Sequence, residues 1–81
     1  MKSIHSKNYK CKQYAHETDY EDIEAITVGD AAECFVESIF TYEADYYEVE
    51  VRDPEDKRWL IVVDVESSPS FRASKVKLLL S

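Results

Sequence analysis

The sequence predicts an α+β fold, one helix packed on a small antiparallel sheet in the order β-(β)-α-β-β-β. Three observations carry that expectation. Tyr47, Val49 and Val51 alternate with Glu48, Glu50 and Arg52, the period-two pattern of a strand with one dry face. Asp53-Pro54-Glu55-Asp56 then supplies a turn, in which Pro54 presets φ and the Asp53 side chain can cap the bend. Upstream, Ala32, Phe35, Val36, Ile39 and Phe40 recur at helical spacing, with Glu33, Glu37, Ser38 and Thr41 on the opposite side.

The elements follow in order. Residues 6–15 alternate loosely, Tyr9 and Cys11 against Lys10 and Lys12, as in a strand with one wet face. His16 to Asp22 is polar and turn-like. The β-branched run Ile23 to Val28 reads as a short strand or as the extended lead into a helix. Gly29 interrupts it, and Asp30 with Glu33 has the spacing of a capping box, which predicts a helix over 31–43. Its apolar side should meet Val49, Val51, Trp59, Ile61 and Val63, with Ile39 at the centre of the contact. The second hairpin arm sets Trp59, Ile61, Val63 and Val65 on one face and Leu60 and Val62 on the other, as in a strand with neighbours or a partner behind it. Beyond the loop Ser67-Ser68-Pro69-Ser70, residues 71–80 form a last strand with a bulge near Ser74-Lys75, or else a short helix over 75–80.

An 81-residue chain is read as one domain, 1–81, near the lower size limit for a single core. With 44% apolar residues, one Gly and two Pro, it has the composition of a folded chain. No run approaches the roughly 18 apolar residues of a membrane span, and the first ten residues lack the apolar stretch of a signal peptide. The expected setting is cytoplasmic, with Cys11 and Cys34 as reduced, mostly buried thiols. His5, Cys11, His16 and Cys34 make up a zinc ligand set in number but not in spacing. The stretch from His16 to Glu24 lacks the Gly and terminal bidentate Glu of a calcium loop. No metal or cofactor is expected.

Charge placement stands above background. Residues 1–16 carry four Lys and no acid, and residues 17–50 carry twelve acids and no Lys or Arg. With the N- and C-terminal strands side by side, Lys10, Lys12, Arg72, Lys75 and Lys77 would stand apart from the helix acids. The expected partner-binding surface is then Glu33, Glu37, Glu43 and Asp45, running through Tyr46 into Glu48 and Glu50. Asp19, Glu21 and Asp22 form a second cluster before the helix. Such a surface attracts a protein with a basic patch and repels nucleic acid; a solvated, solubilising face is the plainer account of the same acids.

Catalysis needs a nucleophile or acid/base pair held in a pocket. His16 beside Glu17 and Cys34 beside Glu33 are ordinary neighbours in an acidic chain, and the single glycine leaves no phosphate-cradling loop. The expectation is a protein that is not an enzyme. In size, element order and acidity, the stretches IEAITVGDAAECFVESIF and YEVEVRDPEDKRWLIVVDVE give the chain a look similar to the small inhibitors of phages and mobile elements, the anti-CRISPR proteins among them. That resemblance implies a DNA-mimicking inhibitor that docks on the Lys/Arg surface of a nucleic-acid-handling complex. The alternative is a small assembly or adaptor module that self-associates, as a homodimer, through the edge strand ending in Leu78-Leu79-Leu80.

Overall fold

Residues 6–40, 44–66 and 70–79 are described by the structure, a computed structural model. The elements are β1 (Lys7–Gln13), β2 (Glu21–Ala25), α1 (Val28–Ile39), β3 (Tyr46–Arg52), β4 (Arg58–Val65) and β5 (Phe71–Leu79). The strands form one sheet in the order β2-β1-β3-β4-β5, each pair antiparallel. This is the expected α+β architecture. One inference about it is corrected: β1 and β5 do not lie side by side, because the β3–β4 hairpin is inserted between them.

The hairpin forms as its sequence dictates. Asp53 Oδ1 accepts the amides of Glu55 and Lys57, both at 2.9 Å, and Asp53 Oδ2 accepts Trp59 Nε1–H at 3.1 Å. Asp56, at φ 72°, takes the left-handed turn residue that sends the chain back. Register runs from Tyr46 beside Asp64 to Arg52 beside Arg58, which puts Tyr47, Val49, Val51, Trp59, Ile61 and Val63 on one face.

The helix begins three residues earlier than the capping-box reading places it. Thr27 is extended (φ −130°, ψ 167°), and its Oγ1 accepts the Asp30 amide at 3.1 Å. A hydroxyl three residues upstream of that amide is a complete N-cap, so Asp30 becomes a first-turn residue whose carboxylate sits in the positive field of the helix start. Gly29 falls within this first turn, where the amides need no intrahelical partner. The helix ends at Ile39, with Phe40 extended; the expected continuation over 41–43 lies outside the described residues.

Ala31, Ala32, Phe35 and Val36 press onto Tyr9, Cys11, Val49, Val51, Ile61 and Val63, and these ten side chains are nearly all sealed from solvent. Val36 is the centre of the helix contact, and Ile39 lies only at its rim, which corrects the expectation for Ile39. Phe40 closes the end of the core edge-to-face against Tyr47 and Phe71. Cys11 is buried as expected, and burial pushes its thiol up to about 12. Cys34, by contrast, is exposed on the outer side of α1, since its position in the helical period points away from Phe35 and Val36.

In β5 the strand reading holds over the helical one. Val62 lies beside Lys75 but Val63 beside Ala73, so Ser74 is the extra residue of the bulge. Ser74 Oγ donates to the Val62 carbonyl at 3.3 Å. The bulge returns Val76 and Leu78 to the helix-covered face, beside Ile61 and Trp59. No helix among the described residues is long and apolar enough to cross a membrane.

Because Val36 is fully enclosed and Ile39 is not, Val36→Asp should bury an unpaired carboxylate and abolish the cooperative thermal transition. Ile39→Asp should keep a transition at lowered temperature. Circular dichroism melts of the two variants check the ordering, and the reverse order would refute this account of the core.

Candidate protein-binding surface

The sheet leaves one face without a helix, and alternation decides which side chains stand on it. Lys10 and Lys12 from β1, Arg52 from β3, Arg58 from β4 and Arg72, Lys75 and Lys77 from β5 all fall there. The cations the sequence expected to be grouped are therefore grouped, by facing the same way instead of by belonging to adjacent strands. Glu48, Glu50, Asp64, Asp22 and Glu24 stand among them.

This mixture divides the expected binding residues. Glu50 is buried and is no part of an outward acidic surface. It accepts a hydrogen bond from the Tyr20 hydroxyl and lies 3.6 Å from Arg58 Nη1 and 3.9 Å from Lys12 Nζ. The Tyr20 ring covers the group, with Lys12 Nζ 5.8 Å and the Arg52 guanidinium 5.5 Å from its centroid. Burial pushes the Tyr20 phenol up, and its hydrogen bond to Glu50 pushes further. Asp22 is likewise engaged, accepting from Lys10 Nζ at 2.7 Å, which holds its carboxyl below the ordinary range. Glu33 is a structural acceptor: its Oε2 takes the backbone amide of Ala73 on β5 at 2.8 Å. Glu50 alone departs from the expected outward placing, since it is buried; Glu33 and Asp22 each have an internal partner while remaining at the surface.

The remaining acids collect at one end of the molecule. There β1 ends and β3 begins, as Gln13 beside Val49 and the Tyr14 amide on the Glu48 carbonyl at 2.9 Å demonstrate. The helix C-terminus reaches the same end through Phe40 on Tyr47, and the Asp45 carbonyl accepts the Val65 amide at 2.8 Å. Glu17, Asp19 and Glu21 from the β1–β2 segment, Glu37 from the last helical turn, and Asp45, Tyr46 and Glu48 therefore share this end. Among the described residues none of those six carboxylates has an ion-pair partner. Tyr46 is 56% exposed on its rim. Glu43 lies outside the described residues.

The helix adds to the same potential. Its C-terminal carbonyls carry partial negative charge, and no basic residue stands in its last turn. The cations Lys7, Arg52, Lys57 and Arg58 lie toward the opposite end, around the Asp53 turn and the start of β1, whereas Arg72, level with Tyr46 across β4, is a cation at the acidic end and lies 3.7 Å from Glu66. The protein is thus polarised along its strands, in line with its helix dipole.

Among the described residues, no three His, Cys, Asp or Glu side chains converge on a metal position. A groove of about 360 Å³ lies between Asp30, Glu33, Cys34 and Glu37 of the helix and Ser70 and Phe71, open to solvent and acidic on one wall. Compared with known proteins, the chain matches no family model, no curated protein and no solved structure.

Two outcomes are expected from this geometry. Glu50→Gln should lower stability by about 1–3 kcal/mol, since it leaves Lys12 and Arg58 less compensated beside a half-covered ring. A double-mutant cycle with Lys12→Met in urea should recover part of that loss, and strict additivity would dissolve the network. Asp53 behaves differently: burial alone would raise its carboxyl, but the hydrogen bonds from Lys57, Trp59 and Glu55 outweigh it and hold the group below its ordinary 3.8. Its stabilising contribution is therefore complete above the ordinary carboxylate range and is lost as pH falls through the depressed value. Acid titration of the melting temperature should be shallower for Asp53→Asn than for wild type at low pH; identical slopes would contradict the assignment.

Proposed function

We propose that the protein is a non-enzymatic, cytoplasmic binding module that docks its acidic end on a basic surface of a partner protein. The carrying observation is that Glu17, Asp19, Glu37, Asp45 and Glu48, none with an ion-pair partner among the described residues, belong to the end of the sheet toward which the helix C-terminus runs. Elsewhere in the sheet, Asp22, Glu24 and Glu50 are ion-paired or hydrogen-bonded. Glu37 in the last helical turn opposes folding slightly, and a cationic partner would relieve it. Tyr46 beside Asp45 and Glu48 supplies a stiff amphipathic ring to bury at such a contact.

The partner class that fits is a Lys/Arg surface built for phosphates, because the same cations that hold a nucleic-acid backbone accept carboxylates in charge-assisted hydrogen bonds. Occupying that surface inhibits it. The reading is thus a small acidic inhibitor of the anti-CRISPR type, acting as a DNA mimic.

The test separates site from net charge. A fluorescent oligolysine probe should bind wild type with affinity that falls steeply with salt. Asp19→Lys, Glu37→Lys and Asp45→Lys together should weaken it by about tenfold or more. The same charge change at the opposite end, as Glu24→Lys, Glu55→Lys and Asp56→Lys, should weaken it far less. Equal losses in the two triples would reduce the acids to a solubilising coat. Glu37→Lys alone should also raise stability by roughly 0.3–1 kcal/mol, since a cation then sits in the last helical turn.

A further inference from the structure

The two sheet edges are unequal and complementary. On β5 the first half is closed to another strand: the Ala73 amide is taken by Glu33 at 2.8 Å and Ser74 is a bulge. The second half, 75–79, is regular and faces outward. Lys75 and Lys77 stand on the helix-free face, and Val76 and Leu78, each about half exposed, stand on the helix-covered face. The opposite edge, β2, is also five residues long, with Asp22 and Glu24 on the helix-free face and Ile23 and Ala25 on the other.

Pairing the whole 75–79 edge of β5 with itself meets a charge conflict. Antiparallel registers centred on Val76 or Lys77 set lysine directly against lysine, which is destabilising. A register centred on Leu78 avoids this but pairs only residues 77–79 of the described strand, so the edge-strand homodimer is left with a shorter contact. Pairing β5 with β2 of a second copy has no such conflict. Four successive antiparallel steps separate β2 from β5, so the two edges run in the same direction. A second copy with its helix on the same side must then add its β2 parallel to β5. In one register Lys75 lies next to Asp22, Lys77 next to Glu24, Val76 next to Ile23 and Leu78 next to Ala25.

We propose that the 75–79 edge of β5 receives β2 of a second copy, continuing the sheet head to tail through matched charge on one face and matched apolar side chains on the other. The helices do not collide: five strands advance the sheet by about 24 Å per copy, against a helix diameter of about 10–12 Å. The contact is heterologous, so it does not close at two and grows with concentration. It goes beyond the docking of the acidic end, because it uses the sheet edges.

Charge-swapped mixtures test it. At about 0.15 M salt, where net repulsion between copies of charge −7 is screened within roughly 8 Å, sedimentation of wild type from micromolar to about millimolar concentration should rise past dimer mass. K75E/K77E alone and D22K/E24K alone should each associate about tenfold more weakly. An equimolar mixture of the two should recover assembly, since each then offers the other an opposite edge. If a double variant does not melt cooperatively, Lys77→Glu with Glu24→Lys serves as the milder pair. A wild type that stays at 9.4 kDa, a plateau at dimer, or a mixture no better than its components would each overturn the proposal.

Discussion

Everything in this protein depends on a single helix covering a single face of a five-stranded sheet. Phe35 and Val36 can reach Val49, Val51, Ile61 and Val63 because those strands are central, and the result is a dry layer one side chain deep. Among the described residues no second helix covers the other face. The reverse of the sheet must therefore be kept in order by its own side chains, and a long charged residue lying flat over its neighbours is the available means. The Glu50 cluster is that solution at the sheet's middle. A carboxylate almost out of water is held by two cations from neighbouring strands and roofed by a tyrosine from a distant loop.

This arrangement explains why the same composition yields two kinds of acid. On the helix-free face, cross-strand neighbours lie within about 5 Å, so Asp22 meets Lys10 of β1 and Glu50 meets Lys12 of β1 and Arg58 of β4. At the acidic end Arg72 is taken by Glu66, and the acids of segment 17–50 there have no ion-pair partner among the described residues, because that segment contains no base. The charge map is thus a product of topology acting on sequence. Cations come from the first and last stretches of the chain and from the ends of the central hairpin, Arg52 and Arg58, and the sheet turns them all the same way although β1 and β5 are three strands apart.

Much of the fold was legible and for clear reasons. The hairpin carried both a period-two pattern and a turn with a named cap, and Asp53 performs that role with three hydrogen bonds. The bulge at Ser74 was visible because Ala73 and Val76 cannot share a face without an extra residue. The helix start was misplaced by three residues because Thr27 and Asp30 are both good caps, and only the backbone conformation chooses between them. The binding surface was less legible. Acidity is a property of composition, but whether Glu50 or Glu48 faces solvent depends on which strand lies beside β3, and nothing local in the sequence states that Lys12 does. Tyr20 was missed altogether, thirty residues from its partner. The uncompensated helix C-terminus, by contrast, could have been found from the absence of any base between residues 17 and 50.

Edges complete the argument, because a sheet that is open on one face is open at its sides as well. Long charged side chains and a bulge are the usual guards of an exposed strand, and β5 has both. Yet the guards are not evenly spread. Glu33 and Ser74 close the half of β5 under the helix and leave the half that alternates lysine with valine and leucine. On β2 the guards are carboxylates in the same alternation. Lysines on both edges, or acids on both, would repel every copy; opposite signs on opposite edges repel only like edges. Like charges oppose β5 on β5 and β2 on β2 wherever those side chains face each other directly, and in the proposed pairing of β5 with β2 opposite charges meet, in the parallel sense that the strand directions require.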